Sequence, residues 1–332
     1  MRIAVFYPKD RSAAWSMGGG LPATLRRMGH AVTDGAIRPG AGSAADIEAA
    51  RVTMPALEHL RSMDAILISG PEHLIPWLDE IYGKYEWKQL QARKAAWLHE
   101  SLFREDYSIQ FDQIQPWADE YFFPAVQDAE FCDQESFAKG HSHWLPFGVD
   151  TEVFKPDGFE KKEWPVAFIG GIYEKRARFL RALSRHAIPP IRIGGVMIDV
   201  MGFQALESAK RLADCYRRTS VFFNLPALSQ CLVSKVYEVM ACGTFLLTPM
   251  LSADRGVAKN QAAFTSGHHL VYYRSSNLPY VAQLLREWSS EEKSAEREMI
   301  AASGCREAHA NHSLENRLKV IMEKLAIPVA VQ

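Results

Sequence analysis

Cysteine is scarce in this chain: Cys132, Cys215, Cys231, Cys242 and Cys305 are the only five among 332 residues, and no two stand in a CxxC spacing. An odd, scattered set supports neither a disulfide framework nor a zinc cluster. It fits reduced, mostly buried thiols in a cytoplasmic protein. The chain also lacks any apolar run of about 18 residues, so no segment is expected to span a membrane. Its start, MRIAVFYP, has no basic region followed by a long apolar stretch and reads as a strand rather than a signal peptide. Charge of one sign is missing too. With 38 Lys and Arg against 39 Asp and Glu, no bulk field draws the protein to nucleic acid or a membrane. GxSxG, GxxxxGK[ST] and HExxH are absent, which removes several common enzyme classes. His141 and His143 form an HxH pair without a neighbouring carboxylate cluster in sequence, so no metal site is expected. Low-complexity tracts and repeats of solenoid period are absent as well.

What is present is globular: 48% hydrophobic and 23% charged residues. Eight Trp and eleven Tyr hint at flat ligands, although core and interface packing accounts for them more readily. Strand patterns alternate with helical ones. RIAVFYP (2–8), a strand after Gly29, MDAILISG (63–70), KAAWLHE (94–100), DEYFFPA (119–125) and HWLPFG (143–148) form a first series. GVDTEVFKPDGFEKKEW (148–164) is rich in Gly, Pro and charge and reads as a linker. A second series follows: PVAFIGG (165–171), IRIGG (191–195), SVFFNLP (220–226), TFLLTP (244–249) and HLVYY (269–273). This rhythm predicts an α/β fold of two doubly wound parallel sheets, with ligands in the cleft outside the strands' carboxyl ends.

The segment SQCLVSKVYEVMACGTFLLTP (229–249) concentrates the chemistry. Val233, Val236, Tyr237, Met240 and Ala241 follow helical spacing, and Ser234, Lys235 and Glu238 fall on the other side. Gly243 supplies the helix stop. A lysine N-terminal to a glutamate is the weaker order for a helix-stabilising pair, in a class worth about 0.2–0.5 kcal/mol. A helix N-terminus with a lysine in its first turn suits a phosphate better. Arg176, just after the Gly170-Gly171 turn and beside Lys175, is the second cation candidate, because backbone approaches a ligand closely at glycine. Gly194 ends another strand of the second series. His99 and Glu100 close the KAAWLHE strand, on the ligand edge of such a sheet.

SKVYEVMACGTFLLTP resembles the helix-and-strand signature of group 1 glycosyltransferases, and LPFGVDTEVFKP (145–156) resembles their interdomain signature. FIGGIYEKRARFLRAL and HSLENRL (312–318) resemble the spore-maturation-type subgroup. The resemblance implies the GT-B fold: a Rossmann-like acceptor-side domain over 1–150, a nucleotide-sugar domain over 151–313, and a C-terminal helix (314–328) packing back on the first. It further implies a retaining, metal-independent transfer from a nucleotide-diphosphate sugar, UDP- or GDP-linked, with no other cofactor. By the same resemblance, Glu238 meets the ribose, while Ser229, Gln230 and Ser234 line the donor site. Lys235, Arg176 and Lys175 face the diphosphate, Gly19 in the Gly18–Gly20 loop lies beside it, and Gly170, Gly171 and Gly194 pass close to the nucleotide. His99 faces the sugar and Glu100 orients the acceptor. Gln230 stands where the family carries the first glutamate of a pair, which marks a departure at the donor-sugar contact. Oligomeric state and acceptor stay open, the latter among glycan, lipid-linked sugar, metabolite, protein or modified nucleic acid, and with it a peripheral membrane contact. Two alternatives stand beside transfer: a GT-B binding module that has lost activity, and an epimerase or phosphorylase on the same fold.

Overall fold

A computed structural model describes residues 1–8, 12–37, 44–100, 117–134, 139–158, 161–186, 188–194, 205–225, 231–251, 263–274 and 277–325. The first half builds a six-stranded sheet from β1 (Arg2–Pro8), β2 (Ala31–Ile37), β3 (Ala65–Ser69), β4 (Arg93–Trp97), β5 (Glu120–Phe123) and β6 (Ser142–Trp144), in the order β2-β1-β3-β4-β5-β6. The second half builds a five-stranded sheet from β7 (Trp164–Ile169), β8 (Ile191–Gly194), β9 (Thr219–Phe223), β10 (Phe245–Pro249) and β11 (Val271–Tyr273), in the order β11-β10-β9-β7-β8. Every pairing is parallel. The central strands are apolar runs, such as Ala65–Ser69 with all five residues buried, as sheets covered on both faces require. Strand order reverses between β1 and β3 in one sheet and between β7 and β9 in the other. These switch points are where crevices open.

The connecting elements are a 3₁₀ turn (Ser12–Met17) and helices α1 (Gly20–Arg27), α2 (Ala44–Thr53), α3 (Leu57–Leu60), α4 (Pro71–Tyr82), α5 (Val126–Gln134), α6 (Glu174–Leu183), α7 (Ala205–Arg217), α8 (Ser234–Ala241), α9 (Leu278–Ser289), α10 (Ser294–Asn311) and α11 (Leu314–Leu325). The strands sit where the sequence pattern put them, and α8 stops as expected. Gly243 adopts φ +69°, its N–H donates to Met240 O, and the Thr244 N–H donates to Val239 O. That pairing is a Schellman motif, closed by a left-handed glycine.

Two apolar clusters cover the outer faces of the sheets, and a third, larger one runs between the halves. The segment read as a linker starts inside that third cluster. Val149 bridges to Ser313, and Val149 and Phe154 are fully buried. α11 packs against α1 and β4 of the first sheet, burying Leu314, Leu318, Ile321 and Leu325 at helical spacing. Each such side chain contributes about 1.5–3 kcal/mol on burial. Arg317 locks the same crossing through Nε to Pro146 O at 2.8 Å. All five cysteines are free thiols. No helix among the described residues is long and apolar enough to cross a membrane.

α10 has no large-residue stripe. Beside a single Ile300 it buries Ala301, Ser303, Gly304 and Ala308, and a Cβ on Gly304 would stand 2.2 Å from His269 O. Gly304→Ala would gain about 1 kcal/mol of helix propensity. The rigid carbonyl leaves it no room, and overpacking of this kind costs about 1–3 kcal/mol or more. The expected outcome is a lower denaturation midpoint for Gly304→Ala; a raised midpoint would show that α10 shifts freely on the sheet.

Candidate functional site

At the switch point of the second sheet, Gly170 directly follows β7 and the chain passes through Gly171 toward α6. A Cβ on Gly170 would lie 2.6 Å from Lys235 Nζ and 3.5 Å from Arg176 Nη1. One backbone turn therefore carries two cations, delivered by the first turns of α6 and α8. Both also sit near Phe168: Lys235 Nζ is 5.3 Å and the Arg176 guanidinium 5.5 Å from the ring centroid. Tyr173 supplies a second ring to Arg176 at 4.6 Å. Arg176 Nη1 donates to Gly171 O at 2.7 Å, while its buried Nε has no partner. Among the described residues neither cation forms an ion pair. Burial, then the positive charge of Arg176, pull the Lys235 ammonium down to about 7 against a weaker opposing pull from Glu238. Burial also lowers Arg176. A half-buried lysine with an arginine beside it holds its proton poorly, and an anion between them would reverse that.

Gly194 belongs to the same edge. Its carbonyl accepts from the Gly170 N–H at 3.0 Å, and a Cβ on it would touch Ile169. Gly171 faces open space, Lys175 is exposed, and Ser234 is half-buried at the start of α8. Ser229 and Gln230 lie outside the described residues.

Glu238 is more enclosed than its helical position suggests. Placed by pattern on the side opposite the apolar face, it is 0% exposed, because the 3₁₀ turn of the first half closes over it. The Ser16 hydroxyl donates to Oε1 at 3.1 Å, and Oε2 has no partner. Burial drives its carboxyl up to about 8, with Ser16 and Lys235 pulling the other way. Ser16 in turn accepts from the Asp150 N–H at 3.2 Å. Asp150, also buried, accepts from Trp15 Nε1 at 3.0 Å and from Arg27 at 2.8 Å. Trp15 lies over the glycine loop, where a Cβ on Gly19 would meet its ring at 2.5 Å. Gly19 is thus required for packing of this tryptophan.

On the facing edge of the first sheet, His99 follows β4 by two residues. Its Nε2 lies 2.7 Å from Ser69 Oγ, and its ring meets Phe147 edge-on with centroids 6.1 Å apart. The main-chain N–H groups of His99 and Glu100 both donate to Glu72 Oε1, at 2.8 and 3.1 Å. Burial raises the Glu72 carboxyl to about 8. The structure therefore gathers Gly170, Gly171, Arg176, Lys235 and Gly194 on one edge, joins Glu238 to the first half through Ser16, and sets His99 and Glu100 on that half's own ligand edge. Ser16, Asp150, Ser69 and Glu72 escaped sequence reasoning. Asp150 alone left a signal, as a turn-forming aspartate before TEVF: its Oδ1 accepts from the Glu152 N–H. His141 and His143 do have a carboxylate, brought by the fold. Glu120 Oε2 lies 2.7 Å from His143 Nε2 and Oε1 3.3 Å from His141 Nδ1, at the strand ends away from the ligand edge.

Residues 175–323 match the family model described as glycosyl transferase-like. By sequence, no curated protein matches the chain. Among solved structures, Anabaena HepE in complex with UDP-glucose superposes with a TM-score of 0.66 at 11% identity, covering 98% of this chain and 99% of that one. Sucrose-phosphate synthase from Thermosynechococcus elongatus gives 0.67 at 11% identity, with the same coverage. An α-glucosyltransferase in complex with UDP and a 13-mer DNA gives 0.63 at 12% identity, again covering 98% and 99%. The matched family model and these neighbours are GT-B glycosyltransferases, and the present chain has their fold.

Gly170→Ala offers a direct test of the cation turn. Its Cβ would displace chiefly the flexible end of Lys235 and press the Phe168 ring by a few tenths of an ångström, so the cost in stability should stay near or below about 1 kcal/mol. Thermal-shift titration with pyrophosphate should nonetheless show affinity falling by about tenfold or more, since 1.4 kcal/mol of lost contact suffices. Unaltered affinity would mean that the anion site lies elsewhere.

Proposed function

We propose that this protein is a glycosyltransferase moving a sugar from a nucleotide-diphosphate sugar to an acceptor hydroxyl. The observation that carries the reading is the pair of cations at the Gly170 turn, without ion-pair partners among the described residues, on the ligand edge of the sheet whose helices match the transferase family model. A departing nucleoside diphosphate gathers negative charge, and fixed cations stabilise it most when burial has already removed their water. Arg176 and Lys235 take that role here, with Gly170 and Gly171 giving backbone access and Lys175 adding a distant charge. This is the basis for reading the transfer as metal-independent. Retention of the anomeric configuration is the corresponding expectation for the mechanism, with the leaving diphosphate taking the acceptor's proton.

Glu238 meets the ribose in this reading. Its unpartnered Oε2 can accept from a diol, and a second hydroxyl takes the place of Ser16 at Oε1. Opening of the two halves would release Ser16, and closure would exclude water so that transfer outruns hydrolysis. Ser229, Gln230, Ser234 and Gly194 complete the donor side. His99 faces the transferred sugar, and Glu100 orients the acceptor from the first half. UDP- and GDP-sugars are the donors of choice, and the likeness to HepE, solved in complex with UDP-glucose, favours testing UDP-glucose first.

The Lys235 ammonium makes donor binding pH-dependent. Its pKa of about 7 in the free protein rises when a diphosphate binds, so binding takes up a proton near and above neutrality. The diphosphate diester of UDP-glucose holds constant charge over this range. Affinity should therefore be greatest below pH 7 and weaken by up to roughly 25-fold between pH 6.5 and 8.5, the slope approaching tenfold per pH unit at its steepest. Lys235→Arg keeps its charge at every such pH and should flatten the profile. Calorimetry in buffers of different ionisation enthalpy reads the proton directly. Profiles of equal slope in both proteins would detach Lys235 from the diphosphate.

A further inference from the structure

We propose that Ser16 is an internal competitor for the donor: in the free protein its hydroxyl fills the place of a ribose hydroxyl on Glu238, and the donor enters only when the strap that carries Ser16 lifts. This deepens the glycosyl-transfer reading and rests on Glu238 meeting the ribose. Glu238 is 0% exposed, and Oε2, its unpartnered oxygen, is buried as well. No ribose reaches that carboxyl until a covering group moves. The group that covers it from the first half is the 3₁₀ turn Ser12–Met17. This turn is rooted in the first half: Ser69 Oγ donates to Met17 O at 2.6 Å, and the Gly18 N–H donates to Trp15 O at 3.0 Å. Its body nevertheless packs on α7 and α8 of the second half, where Trp15 and Met17 join Leu212, Tyr216 and Val236 in one apolar cluster.

The Ser16 hydroxyl is used twice. It accepts from the Asp150 N–H at 3.2 Å and donates to Glu238 Oε1 at 3.1 Å. With the amide as donor on one side, the serine's single proton is directed at the carboxyl on the other. Asp150 closes a ring with the strap: its carboxylate takes the Trp15 indole N–H at 3.0 Å, its amide holds Ser16, and the chain joins Ser16 to Trp15. Arg27, at the end of α1, holds the second carboxylate oxygen at 2.8 Å. Ser16 therefore leaves Glu238 together with Trp15, at the crossing point of the two halves. A carboxyl that accepts from a serine hydroxyl accepts equally from a ribose hydroxyl, with Oε2 left for the second hydroxyl of the diol. Strap and donor thus share one acceptor. A ligand that binds only the lifted state has its apparent affinity lowered by the fraction of molecules in that state.

Calorimetric titration with UDP reads the competition. Ser16→Ala removes the competitor and should tighten UDP binding by about fivefold or more, the net worth of one hydrogen bond. Unchanged or weaker binding in Ser16→Ala would overturn the proposal. Glu238→Ala should instead weaken UDP by about tenfold or more, as expected for loss of a ribose contact. If Glu238→Ala binds UDP as the wild type does, the ribose assignment fails and takes the competitor with it. If Glu238→Ala weakens binding while Ser16→Ala gains nothing, the competitor alone is lost and the glycosyl-transfer reading stands. A second readout uses the unaltered chain. In ¹⁹F spectra of protein labelled with 5-fluorotryptophan, with Trp15 assigned through Trp15→Phe, the Trp15 resonance should shift on saturation with UDP. A resonance that stays in place in the UDP-saturated protein would show the strap unmoved and sink the proposal.

Discussion

The buried carboxylate of Asp150 is the constraint on which the arrangement of the two halves depends. It sits where the chain crosses from one sheet to the other and takes hydrogen bonds from Trp15 and Arg27, both on the first half. Its own N–H reaches Ser16, whose hydroxyl reaches Glu238 on the second half. A charge taken out of water is tolerated only where its lone pairs are answered, and here the answering groups come from the loop after β1 and from α1. The folding of that loop and the closeness of the two ligand edges are therefore one event. Val149 and Ser313 add a backbone bridge at the same place, and α11 returns across it onto α1.

That dependence explains which parts of the molecule were legible in the sequence. Strands are local: buried parallel strands read as continuous β-branched and aromatic runs, and Phe245–Pro249 or Trp164–Ile169 needed no tertiary information. The stop at Gly243 was equally local. α10 was missed because, apart from Ile300, its contact face is built from Ala301, Ser303, Gly304 and Ala308, and small residues leave no periodic apolar signal. The segment after Gly148 read as a linker from its glycine, proline and charge, although Val149 and Phe154 are among the most buried residues. Composition averages over a segment, whereas burial is decided residue by residue.

The candidate site shows the same division. Arg176 and Lys235 could be proposed because each sits at a fixed offset from a strand end and a helix start, and those offsets survive folding. Glu238 was found by its family resemblance, yet its enclosure depends on Ser16, 222 residues away. Ser69 and Glu72 bond to partners 52 and 27 residues distant. In sequence, SGPEHL looks like an ordinary helix start with an acid in its first turn, favourable to the dipole and nothing more. Only the parallel pairing of β3 with β4 brings Ser69 opposite Trp97 and so within reach of His99. The HxH pair makes the complementary point: its carboxylate, Glu120, is invisible in the neighbouring sequence and obvious across the β5–β6 register.

Unmade hydrogen bonds give the second sheet its direction. Native folds leave few buried polar atoms without partners, since each costs about 1–3 kcal/mol. Three such atoms, Arg176 Nε, Asn224 Oδ1 and Glu238 Oε2, belong to residues at or just beyond the carboxyl ends of β7 and β9, or on the helix that follows β9. One is a donor on a cation and two are acceptors. Packing alone would have answered them cheaply, as Thr248 answers the Asn224 amide and Tyr273 the Asn224 carbonyl. In the proposed reading, a ligand carrying anionic oxygens together with hydroxyl groups is what these three atoms await. The switch point between β7 and β9 is thus polarised toward one chemical class of partner by the same parallel topology that opens the crevice, and a nucleotide sugar has both kinds of group along its length.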